Sequence, residues 1–160
     1  MPKEIERKFL IANDDWRKAV THRVQIRDGL VAACEGRKIR VRFYDQRATI
    51  TVKGRRNGLS RDEFEYDIPP ADAEAMLRDH CGGDVLEKTR HHIHHAGLDW
   101  VIDEYFGILA GVLIAEVELP FEDMPIQRPD WLGREVTGDD RYRKINMLID
   151  RRNALAAESA

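Results

Sequence analysis

Acids and bases recur at every second position along this chain. In KEIERKFL, residues 3 to 10, Glu4, Glu6 and Lys8 alternate with Ile5, Arg7 and Phe9. An extended strand projects successive side chains to opposite faces, so two carboxylates and an ammonium share one face. The two glutamates then stand about 6.6 Å apart at their Cα atoms, close enough to converge on one metal ion or on adjacent ones. The pattern repeats with acids at Glu63/Glu65 and Glu116/Glu118, and with bases at Arg40/Arg42 and Lys88/Arg90. Lys53, Arg61 and Asp103 fall on the same kind of face in their own segments. Ordinary solvated strand faces mix Thr, Ser, Lys and Glu without order, whereas here each strand tends to one sign.

Taken together, these faces hold seven acids (Glu4, Glu6, Glu63, Glu65, Asp103, Glu116, Glu118) and seven bases (Lys8, Arg40, Arg42, Lys53, Arg61, Lys88, Arg90). Two carboxylates at about 4 Å repel by roughly 4 kcal/mol at an effective dielectric near 20, so the acid set calls for divalent cations. Oxygen ligands select hard metals, magnesium or manganese. Clustered Arg and Lys call for an anion bearing several phosphates. Two such metals add +4 and a linear triphosphate carries roughly −4 to −5, so the two together nearly neutralise each other.

The elements that must position these residues follow from the intervening pattern. Residues 24–33, RKIRVRF, ATITVKG, RDEFEYDI, LEKTRHHIHH, DWVIDEYF and LIAEVEL read as strands, most with an apolar face opposite the charged one. Asn13 caps a short helix over residues 14–20; Pro69-Pro70 open another at about Ala71 that closes at Gly82-Gly83; residues 138–156 form a third, with Thr137 and Asp140 at its start. Trp131-Leu132-Gly133 reads as a packed loop, and Arg141 to Lys144 as a solvated basic face. Helices covering the apolar faces from outside leave the charged faces to point inward in a closed antiparallel barrel. HHIHH, residues 91–95, splits across two faces before a turn and reads as an exposed strand end instead of a metal site.

The chain of 160 residues suits one domain over residues 1–160, and 42% apolar with 34% charged residues describes a globular protein. A net charge of −3 argues against general nucleic-acid binding. Two cysteines in unrelated contexts and no apolar run of signal-peptide or membrane-span length point to the cytoplasm and away from a membrane.

EIERKFL, RVRF, TVKG, LSRDEFEY, EKTR, the Asp103 segment, AEVEL and DWLGREVTGDDRY, in this order, resemble the CYTH superfamily of triphosphate tunnel metalloenzymes, and its inorganic triphosphatase-like bacterial members in particular. The resemblance implies an α+β, mostly β fold: a closed eight-stranded antiparallel barrel, or tunnel, with helices packed outside. It implies a metal-dependent triphosphatase, monomeric or homodimeric, with a small triphosphate-containing substrate. Glu4, Glu6, Glu116 and Glu118 look like its metal carboxylates, with Glu63 and Asp103 as helpers. Lys8, Arg40, Arg42, Lys53, Arg61, Lys88 and Arg90 look like its phosphate ligands, and Glu4, Glu6 and Lys8 like its catalytic core. Two other readings stand beside it, a class IV-type adenylyl cyclase and a non-catalytic polyphosphate- or nucleotide-binding module. Many relatives read R-Q-G-Y-L where this chain has RDGLV, so Leu30 stands where a tyrosine is expected.

Overall fold

The computed structural model describes residues 2–83 and 85–159. Nine strands and two α-helices follow one another: β1 (Lys3–Ile11), β2 (His22–Cys34), β3 (Arg37–Tyr44), β4 (Arg47–Lys53), β5 (Ser60–Ile68), α1 (Pro70–Asp79), β6 (Leu86–His95), β7 (Leu98–Tyr105), β8 (Leu113–Glu118), β9 (Leu132–Glu135) and α2 (Lys144–Glu158). Short 3-10 helices span Asp14–Ala19, Gly107–Leu109 and Asp140–Tyr142. The strands pair antiparallel in the order β5-β4-β3-β2-β6-β7-β8-β1, and β5 returns to β1 through Lys3↔Asp62, Glu4↔Arg61 and Ile5↔Ser60. Eight strands thus close into a barrel, which leaves no long unpaired edge.

Period-2 alternation sorts the side chains as the sequence predicts. Glu4, Glu6 and Lys8 of β1 line the interior cavity, while Phe9 joins Trp100, Ile102, Ala115, Val117, Leu119 and Trp131 in an apolar cluster on the outer wall. Trp16, on the first 3-10 helix, is fully buried against that cluster. α1 covers β2, β3 and β4, setting Ala73 and Leu77 on Val41, Phe43 and Ala48. A third cluster, Leu86, Tyr105, Leu109 and Ile114, meets Leu10, Tyr142, Met147 and Leu148, so the α2 end of the chain packs on apolar side chains of the barrel strands. The hairpin turns Glu35-Gly36 and Ala96-Gly97 have both φ angles positive, the turn geometry that matches the twist of paired strands.

Several local expectations are corrected. Leu132–Glu135 is not a loop but a ninth strand outside the ring, paired with the end of β1 through Phe9↔Glu135 and Ile11↔Leu132. Arg7 fixes it with a two-pronged ion pair to Glu135 at 2.8 and 2.5 Å. Residues 14–19 wind as a 3-10 helix, capped as expected by Asn13 accepting from the Asp15 N–H at 2.9 Å. α2 begins at Lys144 instead of 138, because Thr137 is taken up by β1: its Oγ1 accepts the Lys8 N–H at 2.9 Å. His91 is buried, with Nε2 3.0 Å from Glu104, so that part of the histidine run is packed and not exposed.

Gly29 marks the closest approach of α1 and its following turn to β2. A Cβ there would collide with the Leu77 side chain and stand 2.6 Å from Cys81 Sγ, so glycine is what lets α1 and its following turn lie against the strand. Gly29→Ala is expected to cost about 1–3 kcal/mol through overpacking. Urea denaturation measures it, and the cost should shrink when Leu77→Ala makes room.

Candidate active site

The acids gather on β1, β5 and β8. Register places Glu6 directly opposite Glu118, and Lys8 opposite Glu116. Glu4 is held on both oxygens: Lys53 Nζ donates to Oε1 at 2.9 Å and Arg61 Nε to Oε2 at 2.8 Å. Burial opposes its ionisation, yet Lys53 and Arg61 keep its carboxyl well below the usual range. Glu6 differs. Its cationic neighbours stand off, Arg56 at 3.4 Å and Lys8 at 3.9 Å. Burial, then the charges of Glu116 and Glu4, push it up to about 7. Burial and the charges of Glu4 and Glu63 raise Glu118 as well. Glu116 is buried too, but Lys8, Arg90 and Lys88 hold it at about 2. Glu63 pairs with Lys53 at 2.7 Å.

The bases gather on β3, β4 and β6. Arg42 grips Asp28 with two nitrogens, Nη2 to Oδ2 at 2.9 Å and Nε to Oδ1. Arg40 and Lys88 stand 3.8 Å from the same carboxylate, and Lys144 at 3.6 Å. Asp103 is fully buried, bonded to Lys88 at 2.6 Å and to Arg90 at 2.8 and 2.9 Å. Two carboxylates, Asp28 and Asp103, thus serve five cations: Arg40, Arg42, Lys88, Arg90 and Lys144. The surplus shows in Lys144, which burial and the neighbouring Lys88 hold well below the ordinary lysine range. Such a wall is complete only with an anion on it.

A sequence profile of the CYTH domain matches residues 2–146. The chain belongs to the CYTH family. It is 40% identical over 148 residues to an inorganic triphosphatase of Acetivibrio thermocellus, covering 92% of this chain and 94% of that protein. It is 35% identical over 150 residues to an inorganic triphosphatase of Nitrosomonas europaea, covering 91% and 97% respectively. The crystal structure of the inorganic triphosphatase NE1496 superposes with a TM-score of 0.66 at 29% identity, over 91% of this chain and 97% of that one.

Within this CYTH barrel, the residues singled out by sequence surround one interior. Glu4, Glu6, Lys8, Arg40, Arg42, Lys53, Arg61, Glu63, Arg90, Glu116 and Glu118 line a single cavity; Lys88 and Asp103 are buried behind it, ion-paired to each other. Asp103, expected beside a metal, has its oxygens committed to Lys88 and Arg90, so it orients bases instead. Leu30 pairs with Arg40 across β2 and β3 and lines the cavity.

Sequence reasoning missed Asp28, Lys38 and Arg56, all of which line the cavity, and it read Arg141 to Lys144 as a solvated basic face, whereas Lys144 lines the cavity 3.6 Å from Asp28. The Lys38 signal was available, two residues before Arg40 on the same face. Asp28 lay in a segment read as a strand but had no second charge of its own sign at i±2 to mark its face, and Lys144 is brought in by tertiary packing alone.

The donor set suits a hard divalent cation. Glu6, Glu116 and Glu118 supply oxygens from adjacent strands; Glu6 meets its cations only at 3.4 and 3.9 Å, and Glu118 has none at ion-pair distance among the described residues. Among the described residues no three such side chains already converge at metal-binding distance. The glutamate side chains would therefore have to close around the ion. Nor does the histidine run form a site: His22 and His92 stack at 4.1 Å, and His94 pairs with Asp99 at 2.8 Å.

The raised Glu6 gives a pH-dependent expectation for metal-free protein. A carboxyl raised in the folded state favours folding fully below its unfolded value, and that contribution is lost as pH rises through about 7. Glu6→Gln should match the wild type near pH 4.5 and be more stable at pH 8 by on the order of 3 kcal/mol, read by urea denaturation in chelator. Magnesium should then stabilise the wild type more than the variant.

Proposed function

We propose that this protein hydrolyses inorganic triphosphate to pyrophosphate and phosphate with a divalent metal, magnesium or manganese. The observation that carries the reading is the sorting of charge across one cavity, an undercompensated acid wall facing an undercompensated basic wall. The names of the two curated relatives support the substrate. Likenesses to putative adenylate cyclases at 18% and 17% identity speak for the fold alone, so the cyclase reading has no support of its own.

In this reading Glu6, Glu116 and Glu118 would hold the metal, which when bound would act as a Lewis acid on phosphate oxygens and lower the pKa of water; Glu4 and Glu63 would join them only by giving up Lys53 and Arg61. Arg40, Arg42, Lys53, Arg61 and Arg90 bind the three phosphates, Lys144 adds to them from α2, and Lys88, behind the cavity wall, supports them through Asp103. Asp28 and Asp103 fix the guanidinium planes before substrate arrives, so little reorganisation is required as charge develops on the leaving pyrophosphate. Lys8, 3.9 Å from Glu6 and 3.8 Å from Glu116, sets a cation within the acid wall, where it would donate to a phosphate oxygen. No side-chain nucleophile is needed, since water attacks and the chain supplies position and field. The free thiols of Cys34 and Cys81 suit a cytoplasmic setting. No helix among the described residues is long and apolar enough to cross a membrane.

A panel of triphosphate, ATP, thiamine triphosphate and long polyphosphate with magnesium or manganese, scored for phosphate, pyrophosphate and cyclic AMP, tests this. Fastest metal-dependent phosphate release from inorganic triphosphate is expected, and cyclic AMP as the main product would refute it. Glu118→Ala should lose at least about two orders of magnitude in turnover. Arg40→Ala should weaken triphosphate binding while the protein stays folded, because Arg40 meets Asp28 only at 3.8 Å. Leu30→Tyr should raise the preference for inorganic triphosphate over ATP about tenfold if the added hydroxyl gains one transition-state hydrogen bond. An unchanged ratio of specificity constants would remove that role from position 30.

A further inference from the structure

Among the described residues, most cations that line the cavity have a carboxylate partner within 4 Å; Lys38 does not. Lys8, Arg40, Arg42, Lys53, Arg56, Arg61, Arg90 and Lys144 all stand within that range of Glu4, Glu6, Glu63, Glu116, Asp28 or Asp103. Lys38 lines the same cavity and, among the described residues, has no carboxylate at ion-pair distance. The charged groups that act on it most strongly are cations, and the nearest acids, Glu4 and Glu63, are taken by Lys53 and Arg61. Lys53 lies directly opposite it on β4, and Ala33, uncharged, directly opposite on β2. Arg40 follows on its own strand, and Lys8 of β1 and Arg61 of β5 add their fields. Glu35, in the adjoining hairpin turn, is taken by Arg37 at 3.1 Å and Arg55 at 2.6 Å.

Burial, then Arg61, Lys53, Arg40 and Lys8, push Lys38 down to about 7. A polyanion in the cavity reverses that balance, because its charge outweighs the surrounding cations at short range. We propose that Lys38 is a further phosphate ligand of this tunnel and that it takes up its proton together with the anion. The proton comes from solvent and joins the amine nitrogen, and the resulting ammonium donates to phosphate oxygens. This inference rests on the triphosphatase reading of the same cavity.

The sign of the linkage is fixed. Below about pH 7 free Lys38 already holds its proton and adds little to the uptake on binding. Above it, Lys38 adds close to one proton beyond what Lys144 and Glu6 of the same cavity contribute, and affinity falls with rising pH relative to a variant whose charge at position 38 is permanent. Lys38→Arg supplies that permanent charge. Lys38→Met removes it.

Calorimetric titration of metal-free protein with tripolyphosphate, at pH 6 and pH 8 in buffers of different ionisation heat, counts the protons. At pH 8 the wild type should take up close to one proton more than either variant, with the difference shrinking at pH 6. Lys38→Met should bind about tenfold more weakly or worse, as loss of a charged hydrogen-bond donor implies, while Lys38→Arg keeps wild-type affinity or better. Without ligand, Lys38→Met should melt no lower than the wild type at pH 6; a clear loss would mean that Lys38 has a stabilising partner, and would overturn the assignment. Equal affinity and equal proton uptake in Lys38→Met and wild type would overturn it alone. A wild type that binds no tripolyphosphate overturns the triphosphatase reading and this inference with it.

Discussion

The constraint on which this structure depends is the cost of enclosing many charges in one barrel. A carboxylate or ammonium taken out of water is tolerated only where an opposite charge or hydrogen bonds replace the solvent. Most of the interior obeys this rule pairwise. Asp103 is closed between Lys88 and Arg90, Asp28 is gripped by Arg42, and Glu4 is held by Lys53 and Arg61. The exceptions lie on opposite walls: among the acids Glu118, with no cation at ion-pair distance among the described residues, and Glu6, whose cations stand off at 3.4 and 3.9 Å; among the bases Lys38. Each leaves a charge that a small-molecule complement of metal and polyanion would settle, so the unsatisfied groups mark what the cavity is for.

The fold serves that constraint directly. Closing eight strands into a ring lets every second residue face a shared interior while the alternate residues build three apolar clusters outside. The outer clusters supply the stability that a charged interior does not, since burying the side chain of a Trp16 or a Trp100 contributes several kcal/mol that ion pairs do not reliably match. Positioning follows from backbone register: Glu6 faces Glu118 and Arg90 faces Asp103 because the ladders put them there. Membership of the CYTH family then supplies a chemical context in which such an interior has a use.

Much of this was legible in the chain because a strand repeats every two residues and a closed barrel has one inside. Same-sign pairs at Glu4/Glu6, Arg40/Arg42 and Glu116/Glu118 therefore disclosed both the strands and their charged face. What escaped was information carried by other means. Asp28 lay in residues 24–33, read as a strand but without a second charge of its own sign at i±2 to mark its face, and Gly29 beside it answers the close approach of Leu77 and Cys81. β9 is four residues long and exists because β1 offers it an edge, a fact of tertiary structure. The start of α2 was misplaced because Thr137 has cap-like chemistry but spends its hydroxyl on the Lys8 N–H. Lys38 was readable by parity and overlooked.

The most direct test of charge sorting is to locate both ligands at once. Crystals grown with manganese and tripolyphosphate, recorded at a wavelength where manganese scatters anomalously, place the metal independently of any interpretation of the phosphate density. The account predicts the anomalous peak among Glu6, Glu116 and Glu118, with phosphates running along Arg40, Arg42, Arg90 and Lys38. Manganese on the histidine run, or tripolyphosphate bound outside the barrel with its interior holding only water, would contradict it.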